Sequence, residues 1–183
     1  MKKLFLAAAI AAIAGSAYAD LKINGANSQY VGGVGANFHN QAGGAYAEQN
    51  VSSNAGNVVI GKTGSNTQQT VNYYGNTLNR AYLAPAYQNL STNAGAVTVD
   101  GTNWQSTAQM GGSIANLAYF RKAVQNVSSN SGQVTIGKSA VNLQSTSVAH
   151  SSVMNVAYHG TAMQNIASNS ACGGDGCAPA CED

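Results

Sequence analysis

Cys172, Cys177 and Cys181, in the closing stretch ACGGDGCAPACED, are the residues of this 183-residue chain with the widest chemistry open to them. A structural zinc site takes four ligands, and three cysteines fall one short, since His159 stands 13 residues before Cys172. In an exported protein the same spacing suits one disulfide and one leftover thiol, with the pairing open and the odd cysteine available to cross-link subunits. His39, His150 and His159 are the only side chains that could serve as general bases near neutral pH, and Asp100 has no second carboxylate close in sequence to make an acid/base pair. No enzyme is expected, and no cofactor or metal is called for.

These residues must be judged against a repeat. Gln-Asn pairs fall at Gln49-Asn50, Gln88-Asn89, Gln125-Asn126 and Gln164-Asn165, spaced 39, 37 and 39 residues apart, each opening the phrase Q-N-[VLI]-[SA]-[ST]-N-[AS]. An alternating apolar pair follows: Val58 and Ile60, Val97 and Val99, Val134 and Ile136. Next comes N-x-Q-[QS]-T, carrying Asn66 and Gln68, Asn103 and Gln105, Asn142 and Gln144. A last element, N-x-A-Y, carries Asn79 and Tyr82, Asn116 and Tyr119, Asn155 and Tyr158. Nine residues separate the Thr of the third element from the Asn of the fourth in all three copies, and only the turn after the apolar pair changes length. In this alignment His150 matches Tyr74 and Gly111, and His159 matches Leu83 and Phe120, so neither histidine is repeated.

Within each element the kept positions are two apart, the period of a strand with one face selected. Asn-Ala-Gly with its counterpart Asn130 to Gly132, Gly-Lys-Thr-Gly and Tyr-Gly-Asn, between elements, suit turns. The expected fold is all-β, a repeat stack (β-solenoid, cross-β-like) with about four short strands per 37–39-residue repeat and one repeat per layer. Stacking sets like residues about 4.7 Å apart, so the aligned Gln and Asn become hydrogen-bonded ladders and the Val/Ile pairs an inner apolar face. Tyr82, Tyr119 and Tyr158 become an aromatic ladder, whose functional reading is a glycan-binding stripe and whose structural reading is stacking alone. Trp104 falls on the variable strand face.

The N-terminal MKKLFLAAAIAAIAGSAYA reads as a Sec-type signal peptide, with two lysines, a short apolar run and a small-residue cleavage site. The organisation is then a signal peptide over 1–19, a Gly-rich lead-in over 20–48 with at most a degraded copy around Val34, Asn37 and Ala45-Tyr46, repeats over 49–87, 88–124 and 125–163, a partial repeat over 164–170 and a cysteine-containing tail over 171–183. Beyond the signal, six basic residues face six acidic ones, a balance with no basic footprint for nucleic acid and little repulsion between copies. No later apolar run is long enough to span a membrane. Neither end of the array carries a distinct cap, which predicts end-to-end addition of subunits.

With its signal peptide, three imperfect repeats of 37–39 residues and the phrase SNSGQVTIGKSAVNLQST at 129–146, the chain resembles the bacterial functional amyloids, most closely the Fap-type fibre subunits. A cysteine-bearing C-terminus belongs to that family pattern too, whereas abutting repeats and the C-x4-C-x3-C spacing differ from it. Curlins are the second resemblance, through Gln/Asn ladders and Gly-Asn turns. The resemblance implies passage across the outer membrane through a secretion pore, assembly on the cell surface with itself and related fibre subunits, and a role in biofilm matrix or adhesion. Abutting repeats in a short chain look more like a minor or nucleating subunit than a bulk one. The alternative is a monomeric β-solenoid adhesin or glycan-binding module.

Overall fold

A computed structural model describes residues 21–171, so the signal peptide and the three cysteines lie outside the described residues. The described chain is all-β and winds through four layers. Layer 1 holds β1 (Leu21–Ile23), β2 (Ala26–Val34), β3 (Phe38–Ala42), β4 (Ala47–Val51) and β5 (Asn54–Ala55). Layer 2 holds β6 (Val58–Ile60), β7 (Ser65–Tyr82), β8 (Ala86–Leu90) and β9 (Asn93–Ala94). Layer 3 holds β10 (Val97–Val99), β11 (Thr102–Tyr119), β12 (Ala123–Val127) and β13 (Asn130–Gly132). Layer 4 holds β14 (Val134–Ile136), β15 (Val141–Tyr158), β16 (Ala162–Ile166) and β17 (Asn169–Ala171).

Each strand pairs in parallel with its counterpart one layer away, giving four sheets that run along the stack: β1-β6-β10-β14, β2-β7-β11-β15 with β3 also on β7, β4-β8-β12-β16 and β5-β9-β13-β17. The register puts like on like. Asn103 pairs with Asn66 and Asn142, Gln125 with Gln88 and Gln164, and Tyr119 with Tyr82 and Tyr158. This is the β-solenoid, with one repeat per turn.

The nine-residue interval between the third and fourth elements has a structural meaning. An odd interval cannot keep both ends on one face of a regular strand, yet Asn66, Gln68, Thr70 and Asn72 point inward before it and Thr77, Asn79 and Ala81 point inward after it. Tyr74 takes up the extra residue with φ of 58°, and Gly111 and His150 do so in the layers above with φ of 67° and 51°. The stretch expected as a turn at Tyr-Gly-Asn is therefore a bulged corner inside one 18-residue strand.

One further expectation is corrected. Asn130–Gly132, expected as a turn, is β13, and its Asn130 pairs in register with Asn93 and Asn169. The Gln-Asn strand keeps two adjacent residues, and every residue of β8 and β12 is buried. Gln88 sends its amide toward the carbonyl of Ala115 on one side, while Tyr87 packs with Ala94 and Val124 on the other. Burial on both faces accounts for two adjacent amides being kept together.

The Gly-rich lead-in continues the stack. Its counterparts of the repeat are Asn27 on Asn66, Gln29 on Gln68, Asn40 on Asn79 and Ala42 on Ala81, in place of the Val34, Asn37 and Ala45-Tyr46 expected from sequence. Only the inward positions are kept there, and the free outer face hides the likeness. Apolar packing is thin: Ile23, Val58, Ile60, Val97 and Val99 form one buried column, and Leu90, Ile114 and Val127 another, with alanines filling a third.

Candidate functional site

Six amide ladders run through the stack, and each has a direction. In three of them the side-chain amide donates toward the later layer. Asn27 donates to Asn66, Asn66 to Asn103 and Asn103 to Asn142, at 2.7, 2.8 and 2.7 Å. Asn40, Asn79, Asn116 and Asn155 form the second, at 2.8–2.9 Å. Asn54, Asn93, Asn130 and Asn169 form the third, with 2.9 Å at each step.

The other three donate toward the earlier layer. Gln68, Gln105 and Gln144 each reach back to the glutamine beneath at 3.1–3.3 Å. Gln88, Gln125 and Gln164 do the same at 2.5–2.8 Å, starting from Gln49. Asn89, Asn126 and Asn165 follow from Asn50 at 2.7–2.9 Å.

The ladders through Asn66 and Asn93 stand face to face and cross-link: Asn93 donates to Asn103 at 3.2 Å and Asn130 to Asn142 at 3.2 Å. Asn66, Asn93, Asn103 and Asn130 are fully buried. A buried amide is tolerable only with its donors and acceptors met, and here each is met by an identical amide one layer away. This column was missed in part by sequence reasoning, which placed Asn130 in a turn; its signal was the sixth residue of the repeated phrase, always Asn.

The inner apolar positions split by layer. Val58, Ile60, Val97 and Val99 are buried, while Val134 is half-buried against the same column and Ile136 is 40 % exposed. In layer 1 the pair divides, with Leu21 exposed and Ile23 buried at the foot of the column. Among the described residues nothing covers the outer side of layer 1 or of layer 4, and those two faces present strand edges, ladder ends and apolar columns together.

Along the side of the stack, Tyr82 lies on Tyr119 at 4.9 Å and Tyr119 on Tyr158 at 4.8 Å, with rings 11° apart, and Phe120 stacks on His159 at 5.3 Å. Layer 1 lacks the ring, because Gly43 follows Ala42 where Tyr82 follows Ala81. His150 and His159 occupy exposed left-handed corners, and His39 is exposed on β3. Trp104 is 51 % exposed on the outer face, beside Leu143 in register. Among the described residues no three His, Cys, Asp or Glu side chains gather as a metal site would require.

No known protein family, curated protein or solved structure matches the chain.

Proposed function

We propose that the chain is a secreted, self-assembling structural subunit of an extracellular, functional-amyloid-like filament, serving biofilm matrix or adhesion, and a minor or nucleating subunit of it. The observation that carries this reading is the pair of open end faces: the parallel register that joins layers 2 and 3 stops at layers 1 and 4, with nothing covering it among the described residues. Repeat arrays that stay monomeric need terminal caps, and open strand edges recruit further strands. The near-absence of net charge removes the usual obstacle to association. Export through the outer membrane, the kinship with Fap-type subunits and the cell-surface location rest on the signal peptide and the repeat phrases. In this reading two of the tail cysteines form a disulfide and the odd one cross-links subunits, and no catalysis is assigned.

Purified protein without residues 1–19 is expected to form thioflavin-positive filaments whose diffraction shows a spacing near 4.7–4.8 Å along the axis. A chain that stays monomeric at high concentration would sink the proposal.

A second reading, a monomeric glycan-binding adhesin, draws on the side-facing tyrosine ladder. Saturable binding on a glycan array by a protein that sediments as a monomer would favour it.

A further inference from the structure

The two end faces differ in ways that fix how one copy can meet another. By ladder direction, Asn142, Asn155 and Asn169 at the layer 4 face have no amide above their nitrogens, and Gln144, Gln164 and Asn165 none above their oxygens; meanwhile Asn142 donates sideways to Asn169 at 3.2 Å and Asn155 to the carbonyls of Ala123 and Met163. At the layer 1 face the order is reversed: Asn27, Asn40 and Asn54 have no amide beneath their oxygens and Gln29, Gln49 and Asn50 none beneath their nitrogens, with Gln29 donating meanwhile to Asn54 at 2.9 Å and Asn50 to the Glu48 carboxylate at 2.7 Å. With the strands kept parallel, a layer 4 face against a layer 1 face carries each ladder on to its own kind with a donor meeting an acceptor.

The turns between the short apolar strand and the long strand also alternate. They hold two residues in layer 1 (Asn24-Gly25), four in layer 2 (61–64), two in layer 3 (Asp100-Gly101) and four in layer 4 (137–140). Each four-residue turn closes on itself, through Gly64 N–H to Gly61 O at 2.8 Å and Ala140 N–H to Gly137 O at 3.1 Å. The next two-residue turn rests on top. A Cβ at Gly101 would collide with the carbonyl oxygens of Gly61 and Gly64, which is why glycine stands there.

Gly25 is the counterpart of Gly101, yet among the described residues it has no such reason. A Cβ at Gly25 would meet no described residue within 4 Å, and its φ lies outside the left-handed region. The side on which Gly101 meets layer 2 is, at Gly25, the open face of layer 1. We infer that copies join head to tail, layer 4 of one beneath layer 1 of the next, with Gly25 seated on the Gly137–Ala140 turn of the copy below as Gly101 is seated on the turn of layer 2. The joint continues the two-four alternation and the parallel register without a break, as a heterologous, non-closing contact does. This inference rests on the self-assembly reading and names the surfaces that carry it out.

Gly25→Val tests it. The variant monomer is expected to unfold at the wild-type denaturant midpoint, and to elongate wild-type seeds about tenfold more slowly or worse, the rate change that 1.4 kcal/mol at the joint produces. Gly101→Val, by contrast, should lower the midpoint of the monomer itself. Ile166→Lys, at an exposed position of the layer 4 face, blocks the opposite end; Ile136→Lys replaces it if circular dichroism shows that Ile166→Lys loses its β-structure. Neither half-blocked variant should polymerise alone, and an equal mixture should sediment as dimers and nothing larger. Dimers formed by either variant alone, a mixture that stays monomeric, or wild-type elongation by Gly25→Val would each overturn the head-to-tail joint. Failure of the wild-type chain to form filaments at all would instead remove the self-assembly reading, before any variant is compared.

Discussion

Gln68 and Gln105 are fully buried in the two middle layers, whereas Gln29 and Gln144, on the same ladder in the outer layers, keep part of their surface in water. The contrast holds for whole strands: β12 is buried throughout, and β16 directly above it, with the near-identical sequence Ala-Met-Gln-Asn-Ile, alternates between exposed and half-buried. Residue type does not separate these layers. What separates them is whether a layer lies on both sides, so the same amide is a satisfied core group in layer 3 and an unfinished one in layer 4.

Paired substitutions break this comparison most sharply in the amide column. Asn103 bonds to Asn66, Asn93, Gln105, Asn130 and Asn142, and its loss strands several buried polar atoms. Asn103→Ala should destabilise the monomer by about 4 kcal/mol, against about 1 kcal/mol for Asn142→Ala at the open end, since each stranded buried group costs about 1–3 kcal/mol. Urea unfolding of the unassembled protein measures both. In assembled filaments the two costs should converge, because layer 4 then has a neighbour; a gap that persists in the filament would mean that layer 4 stays an open end there.

Much of this was legible from the sequence because stacking selects residues one position at a time. The alternating Val58 and Ile60, the Asn66 and Gln68 pair and the repeated Gln-Asn each announce an inward or doubly buried position, and the register follows from aligning them. Less legible was the path of the chain within a layer. Its corners are built from Ser52, Tyr74, Leu83, Phe120, Ser128 and His159 in left-handed conformations, types that carry no turn signal of the kind Gly and Pro give. The nine-residue interval held the clue to the Tyr74 corner, since an odd spacing between inward residues demands one extra residue somewhere. Layer 1 was hard to see for another reason: the outer face is free to vary, and only Asn27, Gln29, Asn40 and Ala42 mark it as a repeat.

The apolar column gives the next largest contrast. Ile60 is fully buried between Ile23 and Val99, while Ile136 ends the same column 40 % exposed. Ile60→Ala should cost about 3 kcal/mol and Ile136→Ala about 1 kcal/mol, because the cavity term operates only where neighbours close around the missing atoms. Equal losses on thermal unfolding of the monomer would show that layer 4 is already covered, and with it that the end face is not available to a second copy.

The tyrosine ladder should give the smallest contrast and the one that separates stacking from recognition. Tyr119 stacks on two rings and Tyr158 on one. At about 0.5–1.5 kcal/mol per aromatic pair, Tyr119→Ala should cost the monomer about 2 kcal/mol and Tyr158→Ala about 1 kcal/mol. If the rings serve only as rungs, Tyr119→Leu should recover part of the loss and leave the filament able to form, since an aliphatic side chain still covers the strand beneath. A ladder kept for a ligand behaves differently: Tyr119→Leu would then abolish glycan retention while leaving the unfolding midpoint close to that of the wild type. The stability and binding readouts move in opposite directions under the two readings, so one variant measured both ways decides between a side face that holds the stack together and one that meets a partner.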